Sequence, residues 1–250
     1  MRSVTTALQV LEAVAVNQPV GLSALTRTLG LPKTTVQRSL ATLAESGWIE
    51  QQTDTGRWQV GVRAFVVGSA VGARGGLRSA ALPTMRELGA EVGETVHLMV
   101  PAGREVVLVE RIDSPQPVRA VAPLGARGPL HATSNGKAVL AALPQEERDA
   151  YIAGGLHAVT PHTITDPDRL RTELRGIAES GFSVCQEEVE EGVVSVGAAI
   201  RPGHGRPIAS LSISGPKSRM SPELLTPYGE KVRLAAEVIS GALPADAEVR

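Results

Sequence analysis

Residues 22–47 constrain the chain more than any other stretch. Leu22, Leu25 and Leu29 recur at helical spacing and form one apolar stripe. Gly30 then stops the helix, and Pro32 presets the backbone for the first turn of another. In that second helix Val36, Leu40 and Leu43 face inward at i, i+4 and i+7. The opposite side carries Lys33, Thr34, Thr35, Gln37 and Arg38, all at its N-terminal end. Each can donate to a phosphate oxygen, and Gln37 and Arg38 can also read a base edge. Ser23, in the first turn of the preceding helix, completes this candidate DNA-contacting set. Two short helices about a tight break predict a helix-turn-helix, with the polar start of the second helix placed for the major groove. The plainer alternative is a helical hairpin with a solvated polar face.

The flanking residues extend the pattern. Residues 4–17 form a helix whose stripe is Val4, Leu8, Leu11 and Val14 or Ala15, followed by a turn at Pro19. Residues 48–52 and 57–60 are short β-runs around an Asp/Gly-containing turn, a hairpin that acts as a wing when it follows a helix-turn-helix. Arg57 at the wing tip can reach a phosphate or the minor groove. Trp48 and Trp58, on opposite strands, are expected to pack on each other and on the helices. The DNA-binding domain is thus 1–61. A linker helix spans 62–76 and ends in the soft glycine segment Gly72, Gly75 and Gly76, where the domain boundary falls.

From residue 77 onward the pattern changes. A helix over 77–92 carries Leu77, Ala81, Met85 and Leu88 on one face. Strands are expected over 95–100, 105–111, 117–122, 182–187, 193–201 and 207–214, interrupted by helices that start near Asn135, Pro144, Asp166 and Ser221. The tail after Pro244 is read as loose. Six strands interrupted by helices predict an α+β domain over 77–250 with a largely antiparallel sheet. Aromatic residues make up only 2% of the chain, so its cores must be built from aliphatic side chains and alanine.

Charge and cysteine content narrow the function. Residues 1–78 hold eight Lys/Arg and four Asp/Glu, a balance of +4, and residues 79–250 hold seventeen and twenty-two, a balance of −5. A basic first third suits a polyanion, and a dimer doubles that charge. No apolar run approaches the ~20 residues of a membrane span, and the N-terminal residues lack the apolar core of a secretory signal. Cys185 is the only cysteine, which excludes an internal disulfide and fits a reducing cytoplasm.

Three ordered blocks carry a family resemblance. The first joins Ala7-Leu8-Gln9-Val10-Leu11-Glu12 to Gly30-Leu31-Pro32-Lys33-Thr34-Thr35-Val36-Gln37-Arg38. The second is Pro129-Leu130-His131-Ala132-Thr133-Ser134-Asn135-Gly136-Lys137-Ala138. The third is Glu187-Glu188 with Gly192, then Ile208-Ala209-Ser210-Leu211-Ser212-Ile213-Ser214-Gly215-Pro216. Over nearly its whole length the chain resembles the IclR family of bacterial transcription regulators. The resemblance implies an N-terminal winged helix, a linker helix and a GAF-like C-terminal domain that binds a small-molecule effector, usually a small carboxylate or aromatic acid. It also implies a homodimer or homotetramer on a palindromic DNA operator.

Carried over residue by residue, the resemblance implies an effector pocket lined by Ala120 on the third strand, by Gly128, and by Ser134 and Asn135 at a helix start. Cys185, Val193 and Ser195 on later strands, and Ser212 and Ser214 on the last, complete that set. Ser134 and Asn135 sit where free backbone N–H groups and the helix dipole favour an anion. Ser195, Ser212 and Ser214 are hydroxyls on otherwise apolar strands, as a pocket with a few convergent polar groups requires.

Each residue also has a structural alternative. Ser134 and Asn135 can simply cap the helix, and Ser212 and Ser214 can face solvent on an alternating strand. Glu187, Glu188, Glu190 and Glu191 read as a solvated turn. Cys185 reads as a small buried hydrophobe rather than a reactive thiol. His131, His157 and His162 show no metal-ligand spacing, and His131 reads as packed or bonded to backbone. No metal and no cofactor are expected.

The sequence therefore reads as a ligand-responsive DNA-binding regulator, repressor or activator, with ligand binding biasing the dimer through helices 62–92. One alternative is a small-molecule-converting enzyme on the α+β domain, although no GxSxG, HExxH or phosphate-loop motif appears. The other is a winged-helix module that binds protein.

Overall fold

The computed structural model describes residues 2–73 and 76–245. Gly75 of the glycine segment and the tail beyond 245 lie outside the described residues. The chain divides into two compact units, Met1–Arg74 and Gly75–Arg250.

The first unit comprises α1 (Arg2–Asn17), α2 (Leu22–Leu29), α3 (Lys33–Glu45), the hairpin β1 (Ile49–Gln51) and β2 (Trp58–Val60), and α4 (Val62–Ala73). Gly30 caps α2 at φ 62°, a left-handed conformation that costs glycine nothing. The inward face of α3 is Val36, Leu40 and Leu43, which meet Leu25 of α2 and Val10 and Val14 of α1. Val20 exchanges two backbone hydrogen bonds with Trp58, of 3.0 and 2.8 Å, and so ties the α1–α2 connection to the wing.

Two expectations fail here. Val4 and Leu8 are 65% and 53% exposed, because α1 is covered only from Val10 onward; its buried face is Val10, Ala13 and Val14. Trp48 and Trp58 are not opposed. The register pairs Trp58 with Gln51, and Trp48 precedes β1. Each tryptophan packs half-buried against the helical core.

The second unit begins with α5 (Leu77–Val92) and the hairpin β3 (Thr95–Ala102) and β4 (Glu105–Ile112). Next come β5 (Arg127–Pro129), α6 (Ser134–Ala142), α7 (Gln145–Ala153) and α8 (Pro167–Ser180). The chain continues through β6 (Ser183–Gln186), β7 (Val193–Ile200), β8 (Ala209–Pro216) and α9 (Pro222–Gly241). The six strands form one sheet in the order β5-β4-β3-β8-β7-β6, and every neighbouring pair is antiparallel.

Alternation along the strands divides this sheet between two helical layers. Val96, Leu98, Leu211 and Ile213 pack with Met85 of α5 and Val232 and Ile239 of α9. On the other face, Met99 and Leu108 pack with Val139 and Leu140 of α6 and Leu170 and Leu174 of α8. Ser210, Ser212 and Ser214 fall on that second face and are buried, so the solvent-facing alternative for Ser212 and Ser214 does not hold.

The strand expected over 117–122 is absent, and β5 takes the sheet edge beyond β4 instead. Pro115 and Pro117 bring no backbone donors. Side chains satisfy the backbone of the segment in place of a partner strand. Thr95 donates to the carbonyl of Ala120 at 3.0 Å, Arg219 to that of Val118 at 2.9 Å, and Arg111 to that of Ala122. Ala120 therefore lies on a loop, not on a third strand.

Candidate functional site

The first unit presents a polar surface at the start of α3. Lys33, Thr34, Gln37 and Arg38 are exposed and Thr35 is half-exposed, and their side chains make no hydrogen bond or ion pair to any described residue. Pro32 offers no side-chain cap, so the first amides of α3 remain available to an anion. Ser23 is exposed in the first turn of α2, and Arg57 is exposed at the wing. The backbone beneath Arg57 is fixed, since Gln52 N–H donates to its carbonyl at 2.8 Å. Arg63 is employed differently. It donates to the Ser46 carbonyl at 2.7 Å and lies over the Trp48 ring at 5.7 Å, holding the turn after α3.

The second unit contains a cavity of about 150 Å³ between the sheet, the start of α6, the 113–126 loop and the β6–β7 turn. Ala120, Gly128, Ser134 and Asn135 line it from the loop and helix side. Cys185, Val193, Ser195 and Ser214 line it from the strands. Ser212 does not. It is wholly buried in the sheet beside the cavity. His97, Thr133 and Arg127 also line the cavity, though sequence reasoning passed over them, and so does Glu190, which the sequence placed in a solvated turn. Thr133, not Ser134 or Asn135, is the N-cap of α6, its hydroxyl accepting from Gly136 N–H at 2.9 Å. The Asn135 amide is thereby left to donate to Ser210 Oγ at 3.1 Å.

The charge of this cavity is set by burial. Burial, with the Arg111 guanidinium nearby and Asp113 opposing, lowers the His97 pKa to about 4, so its imidazole is neutral at pH 7. Burial, reinforced by Glu188, pushes the Cys185 thiol up to about 11, and its Sγ donates to the Ala132 carbonyl at 3.0 Å. Cys185 is thus a small neutral wall residue. His131 is held in place by Tyr151 Oη at 2.8 Å and the His157 carbonyl at 2.9 Å.

The acidic turn is not simply solvated. Glu188 is buried and pairs with Lys137 of α6, whose side chain is 0% exposed. Lys137 also bonds Glu173 of α8 at 2.5 Å. Burial alone would lower the Lys137 pKa, but Glu188 and Glu173 outweigh it and hold the ammonium above its ordinary value. The trio anchors the β6–β7 turn, which delivers Val189 and Glu190 to the cavity.

Gly197 of β7 determines how closely α6 approaches the sheet. A Cβ there would lie 2.9 and 3.0 Å from the Ser134 carbonyl carbon and oxygen and 3.1 Å from Asn135 N. All three are backbone atoms of the helix start, so they cannot rotate aside. Gly197→Ala is expected to cost about 1–3 kcal/mol through overpacking. Gly176→Ala, in α8 with open space around it, is expected to gain about 0.5–1 kcal/mol. Urea unfolding compares the two directly, and equal stabilities would contradict the close approach at Gly197.

These features recur in known proteins. Residues 3–53 match the IclR helix-turn-helix domain, and residues 70–241 match the family described as bacterial transcriptional regulator IclR C-terminal. The Acetate operon repressor of Salmonella typhimurium is 34% identical over 244 residues, which is 96% of this chain and 89% of the relative. The HTH-type transcriptional repressor AllR of Klebsiella pneumoniae is 38% identical over 223 residues, 89% of this chain and 82% of the relative. The crystal structure of an IclR homologue from Microbacterium hydrocarbonoxydans, complexed with 4-hydroxybenzoate, aligns with a TM-score of 0.80 at 29% identity, covering 95% of this chain and 97% of the other. The relatives are repressors by name, which sets aside the enzyme reading. With both domains matched in order along nearly its whole length, the chain belongs to the IclR family of bacterial transcription regulators.

Proposed function

We propose that this protein is a repressor that holds a palindromic operator as a dimer or a pair of dimers and is modulated by a small carboxylate or aromatic acid. In this reading, residues 1–61 bind DNA, 62–76 form the linker, and 77–250 bind the effector in the bacterial cytoplasm. The observation that carries it is the unpartnered polar array Lys33–Arg38, joined by Ser23 and Arg57, at the exposed start of a second helix. Self-association is supported by α4, where Val62, Phe65, Val66 and Val67 are all exposed. Two recognition helices then address half-sites ~34 Å apart, or a multiple of that.

The effector reading rests on the cavity. A cavity of about 150 Å³ is comparable to one known to admit benzene, and the Microbacterium protein was crystallised with 4-hydroxybenzoate. No helix among the described residues is long and apolar enough to cross a membrane. Ligand in the cavity would act by favouring one spacing of the two recognition helices over another.

The test is selection of duplexes from a random pool, followed by binding at increasing salt. If six or more phosphates are contacted, affinity should fall by roughly a thousandfold between 50 and 200 mM salt. Addition of 4-hydroxybenzoate or benzoate should then alter the retained affinity. Binding that ignores salt would favour a protein partner over DNA.

A further inference from the structure

The sheet face beneath α6 carries two adjacent rows of side chains. Ser183, Gly197, Ser212 and His97 stand side by side on β6, β7, β8 and β3. Cys185, Ser195, Ser214 and Thr95 form the next row. Gly197 lets the start of α6 settle on the first row, so Ser134 and Asn135 roof it closely.

Most polar groups here are paired within the protein. Ser183 Oγ donates to the Ser134 carbonyl at 2.6 Å, Thr95 to the Ala120 carbonyl, and Asn135 to Ser210. Two are not. His97 Nε2 and Ser212 Oγ are buried atoms without a hydrogen-bond partner among the described residues. His97 is 8% exposed and Ser212 0%, and the register sets them directly opposite each other on β3 and β8. Buried polar atoms are seldom left unpaired, and each that is calls for an explanation such as a bound molecule. His97 lines the cavity and Ser212 adjoins it.

We propose that His97 is a specificity-determining residue of the effector cavity, its Nε2–H binding one acceptor oxygen of the effector. The proposal rests on the reading of that cavity as the effector site and names the group the effector must present. Ser214 Oγ lies 3.4 Å from His97 Nδ1. With Ser214 donating there, the ring proton sits on Nε2, since the hydrogen bond at one ring nitrogen sets the tautomer at the other. A neutral donor then faces the effector, and the unsatisfied amides of the α6 start add to it. An oxygen of a carboxylate or ketone meets this set, and an ammonium group does not. Met99, Leu108 and Val193 receive the apolar remainder of the molecule.

The test uses the full chain and its His97→Leu and His97→Gln variants, with benzoate and 4-hydroxybenzoate as oxygen-bearing probes and benzylamine as the ammonium control. In calorimetry, His97→Leu should weaken acid binding by about tenfold or more. His97→Gln, which restores an N–H near the Nε2 position, should recover most of it, and benzylamine should bind none of the proteins. Acid binding by His97→Leu equal to wild type overturns the proposal. Should neither acid bind the wild-type protein, the acid-effector reading fails, and the ligand-free melts still decide the role of His97. A polar atom kept for a ligand leaves the His97→Leu protein at least as stable as wild type. A clearly lower melting temperature, restored by His97→Gln, marks a structural histidine and overturns the proposal.

Discussion

Replacing Lys137 by methionine is expected to lower the melting temperature of the C-terminal unit by about 10 °C. The ammonium is fully buried between Glu188 and Glu173, whose side chains are 7% and 29% exposed. Removing it leaves two carboxylates facing each other, one of them buried, and breaking such a site costs about 3–5 kcal/mol. In a unit of this size each kcal/mol moves the midpoint by ~2–4 °C.

The pH dependence gives the test a sign. In the wild-type protein the Lys137 contribution is complete below its ordinary value of 10.5 and is lost only as pH rises through the higher folded value. Burial already holds the Glu188 carboxyl above 4.5, with Lys137 pulling it back in part. Without Lys137 that pull disappears and the value rises further. The native variant then binds more protons than its unfolded chain, so its stability falls as pH rises. Its deficit should be full near neutrality and shrink as the pH drops through the folded Glu188 value toward 4.5. Adding Glu188→Gln to the variant should remove most of this pH dependence. A Lys137→Met protein that melts within a degree or two of wild type would show that the trio contributes little. Because Glu188 immediately precedes Val189 and Glu190 in the cavity wall, effector binding should weaken even in variants that stay folded.

The second large effect concerns DNA. Arg38→Ala should cost about 1–3 kcal/mol on the selected operator and relax the base preference at one position of each half-site, as expected of a side chain that reads a base edge. Lys33→Ala should instead weaken all duplexes alike and reduce the salt slope by about one for each phosphate it no longer neutralises. Fluorescence anisotropy over a salt series, on operator and scrambled duplexes, separates the two. If neither change alters affinity, the start of α3 is not the DNA interface. The fold gives no reason to expect collateral damage, because neither side chain has a partner to lose among the described residues.

The parts of this molecule that were legible in the sequence are those in which local pattern and final environment agree. Val36, Leu40 and Leu43 repeat at the helical period and are buried where that period places them. Val4 and Leu8 repeat in the same way, yet no other element among the described residues covers them. The segment with Val118 and Val121 looks like a strand by composition, but the groups that satisfy its backbone are Thr95, Arg111 and Arg219, and no local rule names them. Lys137 lies 36 residues from Glu173 and 51 from Glu188, so the trio has no spacing to read. Only the topology brings it together. A faint signal did exist for His97. Thr95 and His97 alternate with Val96 and Leu98, which puts polar groups on one face of a strand whose composition is that of a buried one.

The stretch over 117–122 is pinned by side chains reaching in from the sheet and from Arg219, while the sheet itself is zipped strand to strand. A replacement in that stretch therefore alters cavity shape without disturbing a single rung of the ladder. Selection can remodel the chemical taste of such a sensor by editing one surface segment, and the scaffold that transmits the answer is inherited intact.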